Sequence, residues 1–212
     1  RSTLFPYTTL FRSVKLHIEK NIPVSAGIAG GSTNSAVVIE MIDEILNLNM
    51  SLEDRKQIGR SIGADIPYLL VGKTARTRGI GDHLEILDRL PETNILIVNN
   101  GVEISTPYIY SNIIPTGNSD RVEKIVSTYK NKNYDVFFNN LYNVMEEISI
   151  SYCPEIQEIK EKMYEFNCIK ALMSGSGPTV FGIYKNDKDI EDAYNYFKKL
   201  YKKTFKVKTM ER

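Results

Sequence analysis

Residues 21–36 read NIPVSAGIAGGSTNSA, and no other stretch limits the possible folds as strongly. A proline leads into small residues with three glycines, Gly27, Gly30 and Gly31. The hydroxyls Ser32, Thr33 and Ser35 follow, and then an apolar-patterned helix. Only small residues let a backbone wrap closely around a bulky anion, because side chains would collide with it. The N–H groups of such a loop, and of the helix it opens, converge on one spot and carry partial positive charge. The stretch therefore reads as a phosphate cradle rather than a flexible turn. It is not a Walker A loop: it contains no Gly-Lys-Ser/Thr, so no loop lysine reaches the terminal phosphates.

The chain has 212 residues and a formal net charge of +1. That length supports one large domain or two small ones, with a buried core. Near-neutral charge argues against nucleic-acid or membrane-surface partners, which need a basic face. The lysines at 198, 199, 202, 203, 206 and 208 read as a solvated helix face and strand edge. Two cysteines, Cys153 and Cys168, make neither a disulfide framework nor a metal cluster, and neither has a basic neighbour pattern that would activate it. With no signal peptide and no apolar run of membrane length, the sequence reads as cytoplasmic. His17 and His83, the only histidines, lack ligand partners at metal spacing and read as structural.

Residues 1–13, RSTLFPYTTLFRS, show neither helical nor strand periodicity and resemble translated sequencing-adapter read-through. They are expected to be a non-native leader, which makes the chain a fragment of a longer protein.

From residue 14 the pattern alternates α and β signals. Val14–Ile18 alternates as a half-buried strand does. Ala36–Leu48 predicts a helix with Val38, Met41, Ile42, Ile45 and Leu46 on one stripe. Ser51, followed by Glu53 and Asp54, predicts the N-cap of a second helix that ends at a C′ glycine, Gly63. GADIPYLL then leaves the helix, with Ile66 pushed toward extended geometry by Pro67. Strands are expected over 74–78 and 84–87 around a Gly79–Gly81 turn. A domain boundary is expected at 91–93, dividing residues 14–90 from 91–212. Ile95–Val98 reads as a buried strand, and helices are expected over 119–130, 134–150 and 154–166. Strand IKALM, turn SGSGP, strand TVFGIY, a helix over 187–201 and strand TFKVKT close an α+β layer.

Asp65 sits in GADIP between a helix end and a proline. A carboxylate held in an apolar turn is a candidate acid–base group. Residues 173–182, MSGSGPTVFG, form a second glycine loop. Two glycine loops and an isolated aspartate in one near-neutral chain point to phosphate handling. Lys73, Arg76 and Arg78 form a local basic group read mainly as a solvated face.

The order IP-small-AG-small-AGGST, then GADIP, then SGSGPTVFG resembles the GHMP kinase superfamily. Within it, the AGG-Ser-Thr loop and the Gly-Ala-Asp-hydrophobic-Pro motif are similar to the branch that acts on a cytidine-diphosphate-linked methylerythritol. The resemblance runs from Val14 to the C-terminus. It implies an α+β, two-domain architecture with an incomplete N-terminal domain and a ferredoxin-like C-terminal layer. It also implies ATP and Mg²⁺ as cofactors, a small-molecule substrate, and phosphoryl transfer to that substrate's 2-hydroxyl in non-mevalonate isoprenoid synthesis. Carried over by motif, Pro23, Val24, Ser25, Ala26, Gly27, Ile28, Ala29, Gly30, Gly31, Ser32 and Thr33 would wrap the ATP phosphates. Ser32 or Thr33 would help hold Mg²⁺. Asp65 would be the general base, and Ser174, Gly175, Ser176 and Gly177 would close against the first loop. Two departures stand out. Asn34 and Ser35 replace the family's Asp and Ala, and the family's lysine-bearing strand and Gly-Tyr-His segment are not found in the sequence. The resemblance therefore implies that residues 14–212 alone turn over little substrate and expose apolar surface. A homoserine- or mevalonate-type kinase, or a non-catalytic nucleotide-binding module, is the alternative.

Overall fold

A computed structural model describes residues 14–23, 26–81, 83–114 and 119–210. The expected leader, 1–13, and the predicted cradle residues Val24 and Ser25 lie outside the described residues.

The N-terminal half is helical. α1 (Gly30–Leu46) begins six residues before the predicted start, because the glycine loop itself supplies its first turn. α2 (Leu52–Ile62) starts at the expected Ser51, where a capping box forms. The Ser51 hydroxyl accepts from the Asp54 N–H, and the Asp54 carboxylate accepts from the Ser51 N–H. The helix stops at Gly63 as expected, but Gly63 is extended at φ −173° and not left-handed. GADIPYLL does not leave the helical region. α3 (Ile66–Val71) forms there, with Pro67 in its first turn, where its missing N–H has no helical partner to lose. Gly59 permits the close α2–α3 packing: a Cβ there would lie 2.7 Å from Ile66 Cγ2.

The stripe predicted on α1 is partly wrong. Ala36 and Ile39 are buried against Ile66 and Leu70, whereas Met41 and Ile45 are 45% and 64% exposed. Among the described elements α2 and α3 make the main packing on α1, and the covered stripe is narrower than the apolar one. Residues 14–18 form no strand, and Val14, Leu16 and Ile18 are exposed. Alternation alone makes no ladder, and among the described residues no strand pairs with this one. The hairpin β1 (Ala75–Arg78) and β2 (His83–Ile86) forms near the predicted positions.

The C-terminal half holds the main core. In chain order it contains β3 (Asn94–Asn99), α4 (Thr106–Asn112), α5 (Ser119–Lys130), α6 (Tyr134–Asn140), α7 (Glu146–Tyr152), α8 (Glu155–Glu165), β4 (Lys170–Met173), β5 (Val180–Tyr184), α9 (Asp187–Leu200) and β6 (Lys203–Lys208). The sheet runs β4-β5-β3-β6 with every neighbour antiparallel. α8 packs on β4 and β5, and α9 on β3 and β6, which is the split β-α-β arrangement expected of a ferredoxin-like layer. Leu96, Val98, Ile156, Met163, Val180 and Phe197 fill the space between sheet and helices. The single helix expected over 134–150 is two helices, because residues 141–145 turn outward to serve the second glycine loop. No helix among the described residues is long and apolar enough to cross a membrane.

Candidate active site

The first glycine loop ends in an open helix terminus. Ala29 takes left-handed geometry at φ 52°, and Gly27 lies at φ 71°. The first intrahelical bond runs from the Thr33 N–H to the Ala29 carbonyl at 2.9 Å, so the N–H groups of Gly30, Gly31 and Ser32 precede the helical ladder. Among the described residues no side chain caps them, and no acidic residue occupies the first turn. A Cβ on Gly30 or Gly31 would have no heavy atom within 4 Å. The glycines therefore do not make room for protein. Thr33 and Ser35 donate their hydroxyls back to the Ala29 and Gly31 carbonyls at 2.9 and 3.1 Å. The hydroxyl oxygens keep lone pairs free to accept.

The second loop, 174–177, locks onto the first. The Ser174 hydroxyl donates to the Gly27 carbonyl at 2.8 Å. A Cβ on Gly27 would collide with the Ser174 carbonyl oxygen, and one on Gly175 would lie 2.8 Å from the Gly27 carbonyl oxygen. The backbones thus meet at a distance that only glycine permits. Four side chains missed at the level of sequence brace this loop. The Asn143 amide donates to the Met173 and Gly175 carbonyls at 2.9 and 2.8 Å. The Ser149 hydroxyl donates to the Ser176 carbonyl at 3.1 Å. The Thr106 and Ser176 hydroxyls share a 2.8 Å bond, and Glu146 accepts the Met173 N–H at 2.9 Å. The signal for Asn143 was its amide: asparagine outside a regular helix commonly bonds backbone groups.

Asp65 is the N-cap residue of α3. Its side chain is exposed and makes no capping bond. The backbone around it is fixed, because Ile66 and Pro67 are buried and Ile66 packs in one cluster with Ala36 and Ile39 of α1. Gly81 of the hairpin turn approaches the preceding residue: its Cβ position lies 3.4 Å from the Ala64 carbonyl oxygen. Asp65 thus stands on an apolar platform, not inside an apolar turn. Among the described residues no hydrogen bond or ion pair joins its carboxylate to either glycine loop. What links it to the cradle is the α1–α3 packing.

The basic group after Asp65 divides. Arg76 forms a two-pronged pair with Glu123 of α5, and Arg78 pairs with Glu85 at 3.3 Å, so neither is free for a phosphate. Lys73 is exposed and lines a cavity of about 440 Å³ together with Thr33. Gly72-Lys73-Thr74 lies at the C-terminal end of α3, so it does not open a helix as a Walker lysine does. Both cysteines are buried, and burial pushes the Cys168 thiol up to about 12. Among the described residues no group of three His, Cys, Asp or Glu side chains could hold a metal. The donors at the loop are hydroxyls, a set that fits Mg²⁺ held mainly by nucleotide phosphates and not by a dedicated protein cage.

Comparison with known proteins agrees with this arrangement. The family description "GHMP kinases N terminal domain" matches residues 3–73, and "GHMP kinases C terminal" matches residues 125–203. The 4-diphosphocytidyl-2-C-methyl-D-erythritol kinase of Finegoldia magna is 39% identical over 198 residues, covering 93% of this chain and 70% of its own. That of Caldicellulosiruptor bescii is 41% identical over 177 residues, covering 82% of this chain and 62% of its own. A solved 4-(cytidine 5'-diphospho)-2C-methyl-D-erythritol kinase superposes with a TM-score of 0.73 at 26% identity, over 90% of this chain and 68% of that one. A homoserine kinase from Cytophaga hutchinsonii shares the fold at 16% identity, with a TM-score of 0.69. The two family matches together span more than half of the sequence, and the chain belongs to the GHMP kinase family.

Proposed function

We propose that this sequence serves a cytoplasmic, ATP-dependent kinase reaction, phosphorylation of the 2-hydroxyl of 4-(cytidine 5'-diphospho)-2-C-methyl-D-erythritol, and that residues 14–212 by themselves bind nucleotide but turn over little substrate. Residues 14–90 supply the ATP loop, and residues 91–212 the domain that closes on it. The observation that carries the reading is the interlock at Gly27 and Ser174 beside an uncapped helix terminus. The substrate follows from the names of the relatives at 39% and 41% identity.

In this reading the N–H groups of Gly30, Gly31 and Ser32 hold phosphate oxygens and offset their charge without reorganising. Ser174 and Gly175 keep the first loop in shape. Bound Mg²⁺, beside the Ser32 and Thr33 hydroxyls, would neutralise charge on the β- and γ-phosphates. Asp65 accepts the proton of the attacking hydroxyl as its oxygen bonds to the γ-phosphorus. The bond to the bridging oxygen breaks, and ADP leaves with that electron pair. An exposed carboxylate that no side chain among the described residues engages suits this role, because its lone pairs can accept from a hydroxyl donor.

Nucleotide binding and phosphoryl transfer test the proposal separately. The polypeptide is expected to bind ATP with Mg²⁺, and Gly27→Val to weaken that binding about tenfold or more. Asp65→Asn is expected to leave ATP affinity unchanged and to remove what little transfer to the cytidine substrate residues 14–212 sustain. Absence of ATP binding overturns the reading, as does transfer that survives Asp65→Asn. The Asn34 and Ser35 departures favour a second reading, a nucleotide-binding module without catalysis. ATP binding with no transfer to the cytidine substrate, homoserine or mevalonate, in a chain that also carries the family's lysine-bearing strand and Gly-Tyr-His segment, would support it.

A further inference from the structure

Behind the second glycine loop lies a cavity of about 640 Å³, within the usual size range of small-molecule sites. Three separate elements each send one cation to its wall: Arg121 from α5, Lys160 from α8 and Lys170 from β4. The Arg121 guanidinium stacks over the Tyr142 ring at 3.6 Å, which leaves its in-plane N–H donors free. Lys160 pairs with Glu146 at 2.8 Å, both side chains being largely covered. Among the described residues Lys170 donates only to the Asn139 carbonyl, at 3.1 Å. Among the described residues no carboxylate lies within ion-pair distance of Arg121 or Lys170. Two carboxylates do line the cavity. Glu146 is already held by Lys160 and the Met173 N–H, and Glu147 is exposed. Ile113, Ile148 and Leu172 give the remaining wall an apolar character.

Convergent like charges in a half-buried space are costly, and a bound anion removes the cost. Lys170 registers that cost. Burial first, and then the neighbouring Lys160 and Arg121, hold its ammonium below the usual lysine range, with Glu146 opposing. Two cations without carboxylate partners, beside an apolar wall, fit a phosphate ester with a short hydrocarbon body. The same wall carries Asn143 and Glu146, which hold the Gly175 carbonyl and the Met173 N–H. Through Ser174 that loop grips Gly27.

We propose that this cavity is a second ligand site, built for a small phosphate ester with an apolar body, that acts on the glycine loops through Asn143 and Glu146. The site stands whether or not the loops bind nucleotide.

Calorimetric titration of the polypeptide with n-butyl phosphate at fixed ionic strength tests it, with inorganic phosphate as the second probe. One-site binding is expected, with n-butyl phosphate the tighter ligand. Affinity should fall about tenfold or more in Arg121→Gln and in Lys170→Gln. Arg121 is exposed, so the folding of its variant is not in question. ATP should not compete, and binding should shift the amide resonances of Gly175 and Gly27. Absence of saturable binding, unchanged affinity in Arg121→Gln, or displacement by ATP overturns the site. Unmoved Gly175 and Gly27 resonances overturn its coupling to the loops.

Discussion

Gly30 and Gly31 are glycines for a reason that protein packing does not supply. Both lie in the first turn of α1 with open space where a Cβ would point. Alanine fits there and favours the helix, so Gly30→Ala should raise stability by about 1 kcal/mol in urea unfolding. The same methyl would enter the space proposed for phosphate, so ATP affinity should fall. A variant gaining both stability and affinity would remove the cradle from the argument. Gly27 behaves oppositely. Its φ is 71° and a Cβ would strike the Ser174 carbonyl oxygen, so Gly27→Ala should cost about 1–3 kcal/mol. Equal stability in Gly27→Ala would mean that the two loops are not locked together as described. Three glycines that look alike in sequence thus separate into two classes once their neighbours are known.

At the scale of elements, the hairpin β1–β2 is tied to α5 by charge. Arg76 grips Glu123, while Glu85 sits among Lys130, Arg78 and Arg76. The hydrogen bond from Arg76 holds the Glu123 carboxyl below its ordinary value of 4.5, and that from Lys130 does the same for Glu85. A carboxyl depressed in the folded state stabilises the fold above its unfolded value. That contribution is lost as pH falls through the folded one. Melting temperature should therefore drop from about pH 5 toward about pH 3, and Glu123→Gln should drop less steeply. Parallel curves would show that the pair is idle in solution, as many exposed pairs are. Elements of this kind were legible only when their cause was local. Ser51 with Asp54 announces a helix start, and β3 through its β-branched run announces a strand, because caps and periodicity act within a few residues. The break between α6 and α7 was not legible, since Asn143 turns outward to bond Met173 and Gly175, thirty or more positions away. Nor was α3: Pro67 suggests extended backbone, and only burial of Ile66 and Leu70 against α1 makes a short helix there worthwhile. For the same reason the motifs pointed to both loops and to Asp65, but not to the side chains that brace them.

The whole molecule is uneven in how much it buries. The C-terminal core unites sheet and helices around Leu96, Ile156, Met163 and Phe197, whereas the N-terminal cluster rests on Ala36, Ile39, Ile66 and Leu70. Large apolar side chains of the N-terminal half, among them Ile22, Ile45 and Ile62, stay 58–64% exposed. Buried apolar area drives cooperative folding, so the smaller cluster should give way first. The two cysteines report on the other half. Both sit in the larger core, and the Cys168 thiol, pushed up to about 12, stays protonated at neutral pH while folded. In a urea series, helical signal from α1–α3 should fall before either thiol reacts with a labelling reagent. Two separated transitions are the expected result. Coincident curves would overturn it and would locate the coupling in the contacts between the halves: the Gly27–Ser174 contact, the Arg76–Glu123 and Lys130–Glu85 pairs and the bond from the Tyr129 hydroxyl to the Asp88 carbonyl are described polar links that cross between them. Ser174→Ala with Glu123→Gln, Lys130→Gln and Tyr129→Phe should then split the transition, because removing these side-chain bonds leaves each half to its own core. If even that combined variant melts as one unit, apolar contact between the halves outweighs these bonds.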